Sequence, residues 1–168
     1  MADLTIALAG NPNSGKTTIF NALTGLHQHT GNWPGKTVKK KEGEIELDGL
    51  TIKIVDLPGT YSLTAYSPEE IIARDFIIQE KPDVVIDVVD ATNLERNLYL
   101  TIQLLELNVP VVLALNMTDA LHKEGAKIDL ENLSRSLGNI PNVQTAANRG
   151  TGISELIAQT MHSAGLGN

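Results

Sequence analysis

A glycine-rich loop near the N-terminus constrains the fold of this chain more than any other feature. Residues 10–17 read Gly-Asn-Pro-Asn-Ser-Gly-Lys-Thr, which fits the pattern of a phosphate-binding loop. The loop follows an apolar run at residues 5–9 and precedes Ile19, Phe20 and Leu23, which recur at helical spacing. A strand that runs through such a loop into a helix is the context in which the motif binds nucleotide phosphates.

The residue types in this loop indicate their roles. Glycines let backbone N–H groups turn towards a phosphate, and the helix N-terminus adds partial positive charge. Lys16 is expected to neutralise the β- and γ-phosphate oxygens, and the Thr17 hydroxyl is expected to bind Mg²⁺. The predicted nucleotide contacts from this segment are Gly10, Asn11, Pro12, Asn13, Ser14, Gly15, Lys16, Thr17 and Thr18.

Hydrophobic patterning along the chain predicts an α/β protein with a largely parallel sheet. Strands are expected at residues 5–9, 44–47, 51–55, 84–89, 111–115 and 143–145. Helices are expected from about residue 15 to residue 25 and at residues 68–80, 94–106, 128–137 and 153–163. An Asp-Gly turn at residues 48–49 joins the second and third strands as an antiparallel hairpin. The expectation is a single domain over residues 1–168, with six strands and about five helices.

An Asp-x-x-Gly segment follows the third predicted strand. Asp56 is expected to hold Mg²⁺ through water, and the Gly59 N–H to sense a γ-phosphate. Leu57 and Pro58 complete the segment. Taken alone, it fits an ordinary turn at a strand end, so its value lies in its position beside the phosphate-loop strand.

Two further segments at strand ends predict recognition of a guanine base. Asp119 can accept hydrogen bonds from guanine N1–H and its amine, although a helix cap is the other reading of this side chain. Asn116 is expected to tie its loop to the phosphate loop, with Met117 between them in sequence. The second segment is Thr145, Ala146 and Ala147, and the Ala147 N–H is assigned to guanine O6. Open α/β sheets bind ligands at these carboxyl ends.

A more specific resemblance begins after the first helix, where residues 30–38 read Thr-Gly-Asn-Trp-Pro-Gly-Lys-Thr-Val. This string resembles switch I of FeoB proteins, a family of ferrous-iron transporters with a Ras-like P-loop GTPase domain. Residues 10–17, 56–63, 71–75 and 90–100 also resemble that family. The resemblance implies a GTP-binding and GTP-hydrolysing G domain, expected to precede a helical domain and a polytopic membrane domain that are not in this chain.

The resemblance also implies further site residues. Switch I would contribute Gly35, Lys36 and Thr37, with Thr37 as a Mg²⁺ ligand. The residues expected to carry catalysis are Lys16, Asn13, Thr37 and Gly59. Some family members hold K⁺ as an activating cation with the matching asparagine and switch I carbonyls. Here these would be Asn13, Gly31 and Trp33.

Several residues depart from the expected patterns. Lys36 and Lys39 add positive charge to switch I, and Lys36 could repel a cation or replace it. Ala146 stands where serine is usual, and Met117 replaces the lysine of the general guanine motif. Thr60 occupies the place of the water-orienting glutamine of Ras-type proteins, so another group must arrange hydrolysis or it is slow.

Composition narrows the functional classes. The net charge of −7 argues against nucleic acid as a partner. The chain has no cysteine, which excludes disulfides and thiolate metal sites. The expected setting is the cytoplasmic face of the inner membrane. The expected partners are GTP or GDP, the membrane domain of the same polypeptide, a small cytosolic Feo accessory protein, and further copies in an oligomer. Two alternatives stay open: a slow nucleotide-sensing module, and an Era-like ribosome- or RNA-associated assembly GTPase.

Overall fold

The computed structural model describes residues 2–166. Its strands are β1 (Leu4–Gly10), β2 (Gln28–Asn32), β3 (Lys39–Leu47), β4 (Leu50–Asp56), β5 (Val84–Asp90), β6 (Val111–Asn116) and β7 (Asn142–Gln144). Its helices are α1 (Lys16–Thr24), α2 (Pro68–Glu80), α3 (Leu94–Glu106), α4 (Thr118–Lys123), α5 (Leu130–Ser136) and α6 (Ile153–Ser163). None of these helices is long and apolar enough to cross a membrane.

The strands form one sheet in the order β2-β3-β4-β1-β5-β6-β7. β3 runs antiparallel to both of its neighbours, and the pairs from β4 to β7 are parallel. Leu8 of β1 lies opposite Asp56 of β4 on one side and Ile86 of β5 on the other. This register brings the carboxyl ends of the central strands to one edge, which is where ligands bind in open α/β sheets.

The α/β fold with one antiparallel hairpin is confirmed, but residues 2–166 contain seven strands and six helices rather than six and about five. The missed strand is β2, whose sequence Gln-His-Thr-Gly-Asn has no apolar alternation. It pairs only with β3 and lies at the edge of the sheet, so its backbone hydrogen bonds hold it in place. The missed helix, α4, is a six-residue helix that directly follows the strand-end loop containing Asn116.

Apolar side chains fill both faces of the sheet. On one face, Ile19 and Phe20 of α1 and Leu156 of α6 are buried against the strands. On the other face, the buried residues include Phe76 of α2 and Leu100 of α3. Burial of side chains of this size stabilises a fold by about 1.5–3 kcal/mol each. Packing on both faces of the sheet therefore holds the ends of the strands in fixed positions relative to one another.

One acidic side chain lies inside this core. Asp87, in the middle of β5, is 1% exposed, and its Oδ2 accepts a hydrogen bond from the Thr101 hydroxyl of α3. Its Oδ1 has no hydrogen-bond partner among the described residues. Burial without a cationic partner disfavours the charged carboxylate and raises the pKa of Asp87 to about 7.

The stability of the domain is therefore expected to depend on Asp87. The carboxyl titrates near 3.8 when exposed and near 7 when folded, so the folded state binds the extra proton between these values. The free energy of unfolding should fall by about 1.4 kcal/mol per pH unit as the pH rises through this window. Asp87→Asn should remove this slope and raise stability at pH 8 by about 1–3 kcal/mol.

Urea unfolding of both proteins from pH 4.5 to pH 8 measures this effect. Asp48→Asn, on the exposed turn between β3 and β4, is the matched control and should keep the wild-type slope. A flat stability profile in the unmodified protein would contradict a protonated Asp87.

Candidate nucleotide-binding site

The loop between β1 and α1 has the geometry that its sequence predicts. Asn13 and Gly15 have positive φ angles of 67° and 90°. A Cβ on Gly15 would lie 2.1 Å from Asn116 Nδ2, so only glycine fits beside that side chain. A cavity of about 440 Å³ opens at the loop and is lined by Asn11, Pro12, Asn13, Gly15, Lys16, Thr17 and Gly59.

Lys16 joins this loop to the end of β4. Its ammonium donates to Asp56 Oδ1 and, at 2.7 Å, to the Leu57 carbonyl oxygen. Both Lys16 and Asp56 are buried at the carboxyl end of the sheet. The structure thus brings together the lysine and the acid that the sequence assigned to phosphate and Mg²⁺. The Asp56 carboxylate and the Thr17 hydroxyl are hard oxygen donors of the kind that Mg²⁺ prefers, so this donor set fits that ion.

The segment after Asp56 packs closely against the phosphate loop. A Cβ on Gly59 would meet the Pro12 backbone nitrogen at 3.3 Å, and the Thr60 N–H donates to the Gly10 carbonyl at 3.1 Å. Thr60 is only 5% exposed. Thr60 does not line the phosphate cavity in this conformation.

Glu70 of α2 holds Ser62 and Thr64, later in the same segment, by hydrogen bonds. The sequence did not predict this role of Glu70. Its carboxylate accepts hydrogen bonds from the Thr64 hydroxyl at 2.7 Å, the Ser62 hydroxyl at 2.9 Å and the Thr64 N–H at 3.0 Å. These bonds, the one from the Thr64 side chain foremost, lower the pKa of Glu70. Ser67 caps α2 by accepting from the Glu70 N–H at 3.2 Å. The Ser-x-x-Glu spacing of a capping box was the available signal.

Asn116 connects three loops at the base side of the site. Its Nδ2 donates to the Ser14 carbonyl at 3.0 Å, as the sequence predicted. Its Oδ1 accepts from the Thr145 hydroxyl at 3.0 Å and from the Ala147 N–H at 3.1 Å. The Thr118 hydroxyl donates to the Thr145 carbonyl at 2.9 Å and closes the network. The Ala147 N–H, which the sequence assigned to guanine O6, therefore already has an intramolecular partner.

Asp119 lies at the start of α4 and is partly buried. Met117, just before it, adopts a left-handed conformation with φ 63°, which ends β6 and turns the chain into the helix. Asp119 Oδ2 lies 3.2 Å from Arg149 Nε, and the arginine is more than half exposed. No local pattern in the sequence indicates this ion pair, because the two residues are brought together only by the pairing of β6 with β7. Ala146, next to Thr145, is buried.

Switch I residues lie apart from the phosphate cavity in this structure. Trp33, Pro34, Gly35 and Lys36 form a type II turn, with Gly35 at φ 68° and the Lys36 N–H donating to the Trp33 carbonyl at 2.9 Å. Gly31 is exposed on β2, and Gly35, Lys36 and Thr37 are also exposed. Thr18 is exposed on α1. The proposed Mg²⁺ role of Thr37 therefore stays a prediction.

The sequence places Trp33 in a loop beside Pro34 and so predicts partial exposure, which is wrong for this conformation. The side chain is 7% exposed and packs edge-on against Phe76 of α2, with ring centroids 5.7 Å apart. The Lys40 ammonium lies over the Trp33 ring, 4.8 Å from the ring centroid. His27 and His29 form a His-x-His pair just before switch I, for which the sequence shows no third ligand nearby. No cluster of metal-binding side chains occurs among residues 2–166.

A small polar cavity of about 100 Å³ lies beside the phosphate loop. Tyr61 and Arg96 contribute to it, with the guanidinium stacked over the ring at 4.3 Å. Asn11 and Asn13 line it from the loop. Because Arg96 lies on a predicted helix, the sequence favours a surface or packing role for it, and its contact with Tyr61 is a packing contact.

This fold, with its phosphate loop, strand-end aspartate and Asn-x-x-Asp segment at one edge of the sheet, defines a G domain of the Ras-like P-loop GTPase class. The chain matches the family described as ferrous iron transport protein B over residues 4–160. It belongs to that family, as the switch I string suggested.

Known relatives agree with this assignment. An Fe(2+) transport protein A/Fe(2+) transporter FeoB fusion protein from Porphyromonas gingivalis is 53% identical over 152 residues, which are 90% of this chain and 18% of that protein. The Fe(2+) transporter FeoB of Salmonella typhimurium is 52% identical over 98% of this chain and 22% of its own length. The chain thus spans about a fifth of the length of these curated relatives.

Solved structures show the same fold. The FeoB G-domain from Methanococcus jannaschii has a TM-score of 0.86 and 50% identity, covering 98% of this chain and 99% of that one. An S. thermophilus NFeoB mutant bound to mGDP has a TM-score of 0.89 and 50% identity, covering 95% of this chain and 60% of that one. Identity at this level across the whole domain makes the fold assignment secure.

Asn116→Ala is expected to weaken both stability and nucleotide binding. The substitution leaves the Ser14 carbonyl, the Thr145 hydroxyl and the Ala147 N–H without their common partner. Each lost buried hydrogen bond costs about 1 kcal/mol, so unfolding should become easier by about 2–3 kcal/mol. Thermal unfolding with and without GDP measures both effects. Asn132→Ala, on the exposed surface of α5, is the control and should change neither by more than about 0.5 kcal/mol. Equal results for the two variants would refute a central role for Asn116.

Proposed function

We propose that this domain binds GTP with Mg²⁺ and hydrolyses it to GDP and phosphate. The observation that carries the proposal is the Asn116 side chain, which ties the Asp119 loop to the phosphate loop at one edge of the sheet. This hydrogen bond fixes the position of the loop proposed to bind the base relative to the loop proposed to bind the phosphates. A mutant of S. thermophilus NFeoB at 50% identity is bound to mGDP, which supports a guanine nucleotide here.

The residues of this chain supply most of what phosphoryl transfer needs. Lys16 and the backbone N–H groups of the loop would stabilise negative charge on the phosphate oxygens. The Gly59 N–H would contact the γ-phosphate. Thr17, Asp56 and Thr37 would hold Mg²⁺, which supplies charge neutralisation at the phosphates when bound. Lys16 now donates to Asp56 and Leu57, so nucleotide binding would require this lysine to exchange partners.

The groups that would replace a catalytic glutamine are less obvious. Thr60 is buried and its N–H is bonded to Gly10, so either a different group orients the water or hydrolysis is slow. Asn13 lines the phosphate cavity and could contribute an amide oxygen to K⁺, together with the Gly31 and Trp33 carbonyls. Lys36, the residue that could compete with such a cation, lines a different cavity in this structure. Trp33 lines that same cavity, so forming a K⁺ site would require switch I to move towards the phosphate loop, and Lys36 would move with it.

In the whole protein, we propose that this domain controls or powers ferrous-iron uptake from the cytoplasmic face of the membrane. The support is the similarity to Fe(2+) transporters, of which this chain covers about a fifth. The P. gingivalis relative joins an Fe(2+) transport protein A to FeoB, which supports a small accessory partner. Assembly of the full-length protein into an oligomer is part of the same proposal.

A nucleotide-sensing module with very slow hydrolysis is the second candidate. The specific observation in its favour is the burial of Thr60, which is 5% exposed at the place where Ras-type proteins carry the water-orienting glutamine. Under this alternative, GTP occupancy itself would be the signal.

Multiple-turnover release of phosphate distinguishes the two candidates. The unmodified domain should hydrolyse many equivalents of GTP, and Lys16→Ala should lower the rate at least 100-fold because it removes charge from the phosphates. Lys81→Ala, at the end of α2 and far along the chain from the loop, should keep the wild-type rate. Release of at most one equivalent by the unmodified protein would favour the sensing module.

Guanine specificity is expected to depend on Asp119. Asp119→Asn should weaken GTP binding at least tenfold, because charge-assisted hydrogen bonds are worth about 1.5–3 kcal/mol. The same variant should bind xanthine nucleotides better than the unmodified domain, since the amide complements their altered edge. Titration with fluorescent analogues of both nucleotides measures this exchange. Asp129→Asn, in which asparagine can still cap α5, is the control. Unchanged GTP affinity would disprove the assignment.

Activation by K⁺ tests the role of Asn13. Turnover should be several-fold faster in K⁺ than in Na⁺ at equal ionic strength, and the difference should vanish when the Asn13 amide is removed. Asn13→Gly is the better variant than Asn13→Ala, because glycine adopts the φ of 67° at this position without strain. Equal rates of the unmodified domain in the two salts would rule out K⁺ activation.

A further inference from the structure

A second cavity lies beside switch I. It has a volume of about 420 Å³ and is bounded by the turn at residues 33–36, by the sheet and by α2. Trp33 and Lys36 line it from switch I, Lys40 and Lys53 from β3 and β4, and Phe76 from α2. Cavities of about 300–1,000 Å³ are the size of small-molecule sites. It shares no lining residue with the phosphate cavity.

The sheet wall of this cavity is suited to an anionic group. Lys40 and Lys53 lie 3.6 Å and 3.3 Å from Glu42 Oε2, so two ammonium groups share one carboxylate oxygen. Lys36 adds a third positive charge and forms no ion pair among the described residues. The cavity wall on this side therefore carries an excess of positive charge.

Trp33 provides an unsatisfied hydrogen-bond donor beside these lysines. Its indole Nε1 is buried and has no hydrogen-bond partner among residues 2–166, although buried tryptophan N–H groups normally find one. An acceptor atom placed in the cavity could meet this N–H and the lysine ammonium groups together. A carboxylate, sulfonate or phosphate has the oxygens to do so.

The α2 wall has a different character. Ile71, Ile72 and Phe76 present apolar surface, and Asp75 and Glu80 lie at the same wall. Asp75 is paired with Arg74 at 3.4 Å. A ligand that fits both walls carries its negative charge towards the sheet and an aromatic or aliphatic body towards α2.

We propose that this cavity is a binding site for a small amphipathic organic anion, distinct from the nucleotide site. The ligand's acidic group would lie among Lys40, Lys53 and the Trp33 N–H, and its apolar body would lie against Ile71 and Phe76. Because switch I forms one wall and α2 the other, an occupant holds the Trp33 turn in its present position. Ligand binding and switch I movement are then coupled and reciprocal.

The binding site stands on this geometry alone, whereas its coupling to switching rests on the proposed GTP-binding function. Trp33 is the only tryptophan in the chain, so it reports on this cavity directly. The probe is 1-anilinonaphthalene-8-sulfonate, an aromatic sulfonate that accepts excitation energy from a nearby tryptophan. Titration of the unmodified domain should show saturable binding of one probe per chain with quenching of Trp33 emission.

Variants of the cavity wall identify the location. Lys53→Gln and Lys40→Gln should each weaken probe binding at least threefold, and Ile71→Phe should weaken it by filling the apolar end. Lys39→Gln is the matched control, because Lys39 lies on the same strand but lines a different surface pocket beside Lys41. Urea unfolding shows whether each variant is folded. Unchanged affinity in folded Lys53→Gln and Ile71→Phe, or absence of energy transfer from Trp33, would overturn the site.

A second titration tests the coupling. If the site holds switch I, probe affinity should differ at least threefold between the GDP complex and the complex with a non-hydrolysable GTP analogue. Equal affinities in two verified nucleotide complexes would overturn the coupling while leaving the site. If neither nucleotide binds, the proposed function fails, and the titration of the nucleotide-free domain still decides whether the site exists.

Discussion

The hydrogen bonds of Asn116 hold the functional edge of this molecule together. A single buried amide joins the Ser14 carbonyl of the phosphate loop to Thr145 and Ala147 after β7. The contact spans three loops that are far apart in sequence, so the fold must form before it can exist. Gly15 is required by the same interaction, since any side chain there would collide with the amide. The positions of the Asp119 loop and of the phosphate loop relative to one another therefore depend on one side chain.

Much of this site was predictable because its residues sit at strand ends. Apolar runs located the central parallel strands, and polar residues immediately after each run marked the edge where they meet. Asp56 and Asn116 were found in this way, and their partners Lys16 and Ser14 were in the correct loop. Three helices, α2, α3 and α6, also have the predicted bounds, because their periodicity and start signals agree.

The features that sequence reasoning missed all depend on contacts between distant segments. β2 has no apolar pattern and exists because β3 offers backbone partners. Trp33 is buried because α2 presents Phe76 to it, which no local pattern reveals. The pairs Asp119–Arg149 and Tyr61–Arg96 follow from the order of strands in the sheet. Asp87 was read as part of a buried strand, but its single partner on α3 was not visible in the sequence.

The edge position of β2 has a mechanical consequence for the switch. β2, the Trp33 turn and the first residues of β3 form one continuous hairpin, and β2 is bonded on one side only. Detaching such a strand breaks few buried contacts, so this unit can open at far lower free energy than the central sheet. Trp33 is the main apolar anchor of that hairpin. If the Trp33 indole stays buried against Phe76, Thr37 can move only a little. If the indole leaves this position, the whole hairpin can swing away from the sheet.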